Sequence, residues 1–212
     1  VANAWLRAGN TADTNNYESF LEETFDTVLK NKDIGLVRAD SGFYSDKFLS
    51  WFERRELNYI IAVKFYENFK YEISAIDDWS SITKGLDVAE LYFKPNNSDN
   101  KRRYILVRKK VENYPKSGGK LLFDEPTYRY SAYVTNLDLP LDQVYNIYNT
   151  RADCENRIKE LKYDFGLENF ALNKFYATEA AHRFMMLAYN IMALFKHQVL
   201  QTNMQLSTLR AY

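Results

Sequence analysis

Hydrophobic and polar positions give the chain three stretches of different rhythm. Tyr17, Phe20, Leu21, Phe25, Val28 and Leu29 recur every three to four residues. That spacing predicts an amphipathic helix from a cap at Asp13 or Thr14 to about Lys32. Ahead of it, Val1 to Arg7 reads as a strand, broken by Gly9-Asn10. Ile34 to Ala39 is a short apolar run and predicts a mostly buried strand that ends at Asp40. Ser41-Gly42 marks a turn. Ser45 to about Glu56, carrying Phe48, Trp51 and Phe52, predicts a second amphipathic helix, and Tyr59 to Lys64 another apolar strand. Strand, helix, strand in this order implies parallel strands joined by a right-handed crossover.

The rhythm shortens between about Tyr66 and Asn136. Alternating runs at Tyr71–Ile76, Ala89–Phe93, Tyr104–Lys110 and Tyr128–Thr135 predict strands. Turn-rich pieces separate them at Pro95–Asn100 and Pro115–Gly119. From Leu141 the helical period returns, predicting one helix to about Tyr163 with Gly166 near its stop. A last helix from about Lys174 to Gln201 is apolar almost all round, with Phe184, Met185, Leu187, Ile191, Met192, Leu194 and Phe195, and is expected to be buried. The expected division is 1–65, 66–137 as an all-β insertion, and 138–212, in an α/β fold.

Charge changes this picture only locally. Lys and Arg number 28, as do Asp and Glu, so the net charge is zero and argues against a uniformly basic nucleic-acid binder. Basic residues nevertheless cluster at Lys101-Arg102-Arg103, at Arg108-Lys109-Lys110 and at Arg151, Arg157, Lys159 and Lys162, and local patches set phosphate contacts. The run from Lys101 to Lys110 fits either a DNA track or an edge strand protected by charge. The single Cys154 excludes an internal disulfide and fits a reducing, cytoplasmic compartment; a small buried thiol is expected there. No signal peptide or membrane-length apolar run is visible, and no membrane partner is expected. The chain opens on Val1-Ala2-Asn3 without an initiator Met and stops in mid-pattern at Arg210-Ala211-Tyr212, as a piece of a longer protein would.

Two places could carry chemistry. On an ideal helix Tyr148, Arg151, Glu155 and Lys162 fall within an arc of about 60°, with Lys159 adjoining. This is either a solvated face with pairs such as Arg151 to Glu155 or a carboxylate set among phosphate-binding groups, and spacing alone favours the former. Asp40, at the end of a buried strand, either caps the Ser-Gly turn or stands where open α/β sheets build their sites. Two such carboxylates brought together would bind hard divalent cations through oxygen, Mg²⁺ or Mn²⁺. Two ions about 4 Å apart can activate a water or a 3′-hydroxyl at a phosphodiester.

The run Tyr148-Asn-Thr-Arg151-Ala-Asp-Cys-Glu155-Asn-Arg-Ile-Lys-Glu-Leu-Lys162 resembles, without a gap, the Y-R-E-K signature of DDE transposases of bacterial insertion sequences of the insertion-sequence-four type. Val37-Arg38-Ala39-Asp40-Ser41-Gly42-Phe43 resembles the segment bearing that family's second catalytic Asp. The likeness implies a ribonuclease H-like core with a β insertion before the Glu-bearing helix. It implies that Asp40 and Glu155 are catalytic, metal-binding carboxylates, and that Tyr148, Arg151 and Lys162 contact DNA; Lys159, adjoining them on the helix, is expected from its charge to hold a phosphate as well. It also implies cut-and-paste transposition on transposon-end inverted repeats and target DNA, by a synaptic homodimer in the bacterial nucleoid. The family's first Asp lies on an earlier strand that these residues do not match. Asp13, Asp26 and Asp33 fall at a cap, inside a helix and at its exit. An N-terminally truncated core with two of three carboxylates, unable to cut DNA, is therefore expected. A metal-dependent nuclease of the same fold and a non-catalytic DNA-binding transposase remnant are the rival readings.

Other motifs read as structural. Asp164-Phe165-Gly166 is a helix stop, Ser117-Gly118-Gly119-Lys120 a turn without phosphate-loop context, and His182 and His197 packing or surface residues.

Overall fold

The computed structural model describes residues 1–6, 16–28, 30, 32–96, 98–111, 128–167, 169 and 172–200, leaving aside the side chains of Ala152 and Asp153. The chain forms two compact units, residues 34–150 and residues 1–33 with 151–212.

The first unit is built on a six-stranded sheet. Its strands are β1 (Val37–Ala39), β2 (Tyr59–Ala62), β3 (Ser80–Thr83), β4 (Leu86–Phe93), β5 (Arg102–Lys110) and β6 (Tyr128–Thr135). Their spatial order is β1-β2-β6-β5-β4-β3. β1 and β2 run parallel, Val37 beside Tyr59, as the strand-helix-strand pattern predicts. β2 then pairs antiparallel with β6, Ile60 opposite Thr135, so the strands after residue 66 continue the same sheet. β5 lies between β6 and β4, so its flanking Lys and Arg residues do not protect an exposed edge.

Alternation along the strands separates two packed faces. On one, Ile60, Val88, Ile105, Val107 and Tyr133 meet Val144 and Tyr148 of α4 (Leu141–Asn149). On the other, the ring of Tyr59 packs on Phe52 of α2 (Asp46–Glu53), and Tyr104 on Phe69 of α3 (Glu67–Ser74). Ser45 caps α2, its hydroxyl accepting from the Phe48 amide. α3 replaces the strand expected at Tyr71–Ile76. There Phe69 and Ile73, one turn apart, bury their side chains and set a helical period.

The second unit contains α1 (Tyr17–Val28), α5 (Ala152–Lys159) and α6 (Phe175–Phe195). Residues 1–6 form no strand. They lie along α1, where Trp5 meets Phe20 edge-on at 5.3 Å and Asn3 donates to the Thr24 hydroxyl at 3.0 Å. The expected single helix from Leu141 to Tyr163 is broken at Thr150–Arg151 into α4 and α5, and α5 runs on as a wider π turn, Glu160–Asp164. Gly166 at φ +70° ends that turn, and the Leu167 amide returns to the Leu161 carbonyl at 3.1 Å, so Asp164-Phe165-Gly166 is a helix stop. Leu161 and Tyr189 form a small core with Phe165, Leu167 and Met192.

α6 is not the buried helix its composition suggests. Phe184 is 73% exposed, and Leu187, Ile191 and Leu194 are exposed on the same stripe, whereas Tyr189 is its buried residue. Cys154 is exposed rather than buried. No helix among the described residues is long and apolar enough to cross a membrane. The expected cap at Asp13 or Thr14, the turns at Gly9-Asn10 and Pro115–Gly119, Ser117–Lys120 and the chain's last residues lie outside the described residues.

Candidate functional site

The short strand β1 ends where its apolar residues end, and Asp40 follows with an extended backbone. Its Oδ1 accepts from the Gly42 amide at 2.9 Å and caps a single 3₁₀ turn, Ser41–Phe43. Asp40 itself is exposed, and among the described residues its other oxygen has no partner. The capping role anticipated for an Asp before Ser-Gly is therefore present, and it occupies one oxygen only.

Tyr148 reaches the same strand end from α4. It is 8% exposed, its ring lies 4.2 Å from that of Tyr133, and its hydroxyl donates to the Ala39 carbonyl at 3.3 Å. The phenol thus abuts the backbone unit that leads into Asp40. Arg38, on the preceding residue of β1, donates to the Ile147 carbonyl at 2.6 Å and to the Thr150 hydroxyl. A guanidinium placed on the last carbonyls of α4 complements the negative end of the helix dipole. These two bonds join the end of β1 to the end of α4. Arg38 was not singled out in the sequence, where it read only as the polar residue of an apolar run.

In the second unit Arg151 and Glu155 form an i,i+4 ion pair at 2.8 Å, with Glu155 the more exposed partner. The other Glu155 oxygen has no partner among the described residues. Lys159 is exposed at the last residue of α5, and Lys162, half-buried, lies in the π turn. Because the helix breaks after Thr150 and widens after Lys159, the four signature residues do not share one continuous α-helical arc. Tyr148 belongs to α4, and Arg151, Glu155 and Lys162 follow the break. Close by, Tyr189 donates to Glu160 Oε2 at 2.8 Å, and Arg157 reaches the same oxygen at 3.2 Å. Burial, reinforced by Glu160, pushes the Tyr189 phenol up to about 12.

The arginines of the basic run around β5 are engaged by the protein itself, while Lys101, Lys109 and Lys110 are exposed. Arg102, 5% exposed, uses all five donors on Glu53, Asp46, Ser98 and Ser50. Arg103 donates to Glu90 and to the carbonyls of Leu137 and Leu139. Arg108 pairs with Asp87 at 2.8 Å and lies 4.4 Å over the Trp79 ring. Of the two histidines, His197 is exposed and His182 is partly buried, its Nδ1 sealed without a partner among the described residues. Burial lowers the His182 pKa, and Arg183 adds to the effect.

Among the described residues no three His, Cys, Asp or Glu side chains gather as a metal site. Asp40 and Glu155 each offer exposed carboxylate oxygen, the donor type that suits Mg²⁺ or Mn²⁺.

A mixed α/β domain on a six-stranded sheet, with an exposed carboxylate at a strand end, fits a DDE-type catalytic domain. The family model described as Transposase DDE domain group 1 matches residues 1–211, and the chain belongs to that family. It is a transposase catalytic-domain chain, of a family of nucleic-acid-cutting enzymes that bind DNA and use divalent metal ions. No curated protein matches it.

Proposed function

We propose that this chain is the part of a cut-and-paste transposase, of the insertion-sequence-four type, that carries the second and third catalytic carboxylates, Asp40 and Glu155. The observation that carries the reading is the hydrogen bond from Tyr148, the first residue of the Y-R-E-K run, to the Ala39 carbonyl beside Asp40. It ties the first residue of that run to the strand end that bears the Asp. The reading takes the core as ribonuclease H-like, residues 66–137 (α3 and four strands) as its insertion before the Glu-bearing helix, and 1–65 and 138–212 as its two flanking parts.

Within this reading each side chain has a task. Asp40 keeps one oxygen on its turn, which fixes the carboxylate, and presents the other outward. Arg151 holds the Glu155 carboxylate by its ion pair and orients it. Lys159 and Lys162 take phosphates flanking the cut, and the Tyr148 phenol sets the strand end through its bond to the Ala39 carbonyl. Asp40 and Glu155 would hold Mg²⁺ or Mn²⁺, which when bound would supply Lewis-acid activation of water or a 3′-hydroxyl and charge neutralisation at the leaving oxygen. Partners are transposon-end and target DNA, engaged by a synaptic dimer.

The decisive experiment is Glu155→Gln in the transposase carrying this chain. Cleavage and strand transfer are expected to vanish, with end binding largely retained. Normal cleavage by the variant overturns the assignment. A wild-type protein that cuts but never transfers strands is a nuclease, and one that only binds is a remnant. This chain supplies two of three carboxylates on this reading, so Mg²⁺-dependent cutting by it alone overturns that part.

A further inference from the structure

Lys196 is an unusual residue in the second unit. It opens the π turn Lys196–Leu200 after α6, and only 7% of it is exposed. A buried ammonium is costly unless something answers its charge. No carboxylate or carbonyl among the described residues does so. Nor is its nitrogen sealed, because His182 Nδ1 is the sealed and unpaired side-chain atom among the described residues. The ammonium therefore keeps some contact with solvent, and the Lys196 side chain lines a pocket.

That pocket of about 390 Å³, more polar than apolar, lies between the end of α5 and the end of α6. Lys159 lines it too, exposed and without a partner among the described residues. Arg157 and Glu160 are spent on one another and on Tyr189. Asp164 is the remaining acid of the lining. Two lysines against one carboxylate leave a positive excess at a site whose deeper cation is held by packing. Both chain segments change from α to π winding there, Glu160 onward and Lys196 onward, a backbone irregularity often found at functional sites.

We propose that this pocket binds a phosphate group, with Lys196 as its inner and Lys159 as its outer cation. The occupant is a backbone phosphate of bound DNA, which rests on the transposase reading; free phosphate shares the chemistry. Lys196 is then a DNA-positioning residue outside the Y-R-E-K run.

The test measures end-DNA binding by anisotropy across salt concentrations, with thermal midpoints in inorganic phosphate, for the transposase carrying this chain. Lys196→Met should weaken DNA binding roughly five- to tenfold, independent of sequence, and reduce the salt slope by about 0.9. Lys196→Arg should restore the slope, which a purely structural lysine would not do. Asp164→Asn should tighten binding, and it decides the matter if Lys196→Met does not fold. A folded Lys196→Met with the wild-type slope, or an Asp164→Asn without effect, overturns the proposal while leaving the transposase reading intact. A wild type that ignores DNA, yet gains a midpoint rise in phosphate that Lys196→Met loses, keeps the pocket and removes the transposase reading.

Discussion

Arg102 shows how one residue converts a surface pattern into an interior one. Along β5 it shares a face with Tyr104 and Leu106, so alternation directs it inward, against the basic run it belongs to. Asp46 and Glu53 lie seven positions apart on α2, two turns on one face, and receive it. The sequence contains both halves of this pairing but no local sign that they meet. Arg102→Met is expected to cost about 2–4 kcal/mol in denaturant unfolding, toward the lower end because both acids keep part of their surface in water. Burial works against the Asp46 charge, yet bonds from Ser98 and Arg102 outweigh it and hold the carboxyl below its usual value. A depressed folded pKa contributes stability above the unfolded pKa of about 4 and loses it as pH falls through the folded value. Wild-type stability should therefore fall on acidification over that window, and the fall should be shallower in Arg102→Met.

At the scale of elements, legibility followed whether a segment's partner lies within it. β4, β5 and β6 appear where alternation places them, because pleated pairing imposes period two on the side chains themselves. α3 was missed because Tyr71-Glu-Ile-Ser-Ala-Ile76 alternates by chance, while the burial that decides it, at Phe69 and Ile73, depends on the sheet beneath. The break at Thr150 carries no Gly or Pro. It accompanies long-range contacts, Arg38 on the Ile147 carbonyl and on Thr150, which spacing cannot display. Asp40 and the Arg151–Glu155 pair were legible as types and positions, and the structure gives each the local bond its spacing allowed. Lys196 was invisible because nothing in its local sequence marks a lysine as buried. Gly166, by contrast, was readable as a stop, and its positive φ places an added Cβ 3.3 Å from the Asn169 side chain. Gly166→Ala should cost about 1–2 kcal/mol by denaturant unfolding. An unchanged midpoint would mean that the π turn ends without it.

For the molecule as a whole, the sheet is the mechanical base of residues 34–150, and β2, β6 and β5 each have a neighbour on both sides. Amide exchange should be slowest at Ile60, Ile61, Leu106, Val107 and Val134, and fastest in the outer strands β1 and β3. Protection that peaks in β3 would contradict the strand order. The pairing of Ile60 with Thr135 has a consequence in time as well as in space. β2 can join β1 early in synthesis, but the strand that covers its other side emerges more than 70 residues later. Closing so long a loop is entropically unfavourable and kinetically slow. On the ribosome, then, the nascent chain carries a half-finished sheet with one open side until residue 135 has left the exit tunnel, and that interval is when it most needs a chaperone.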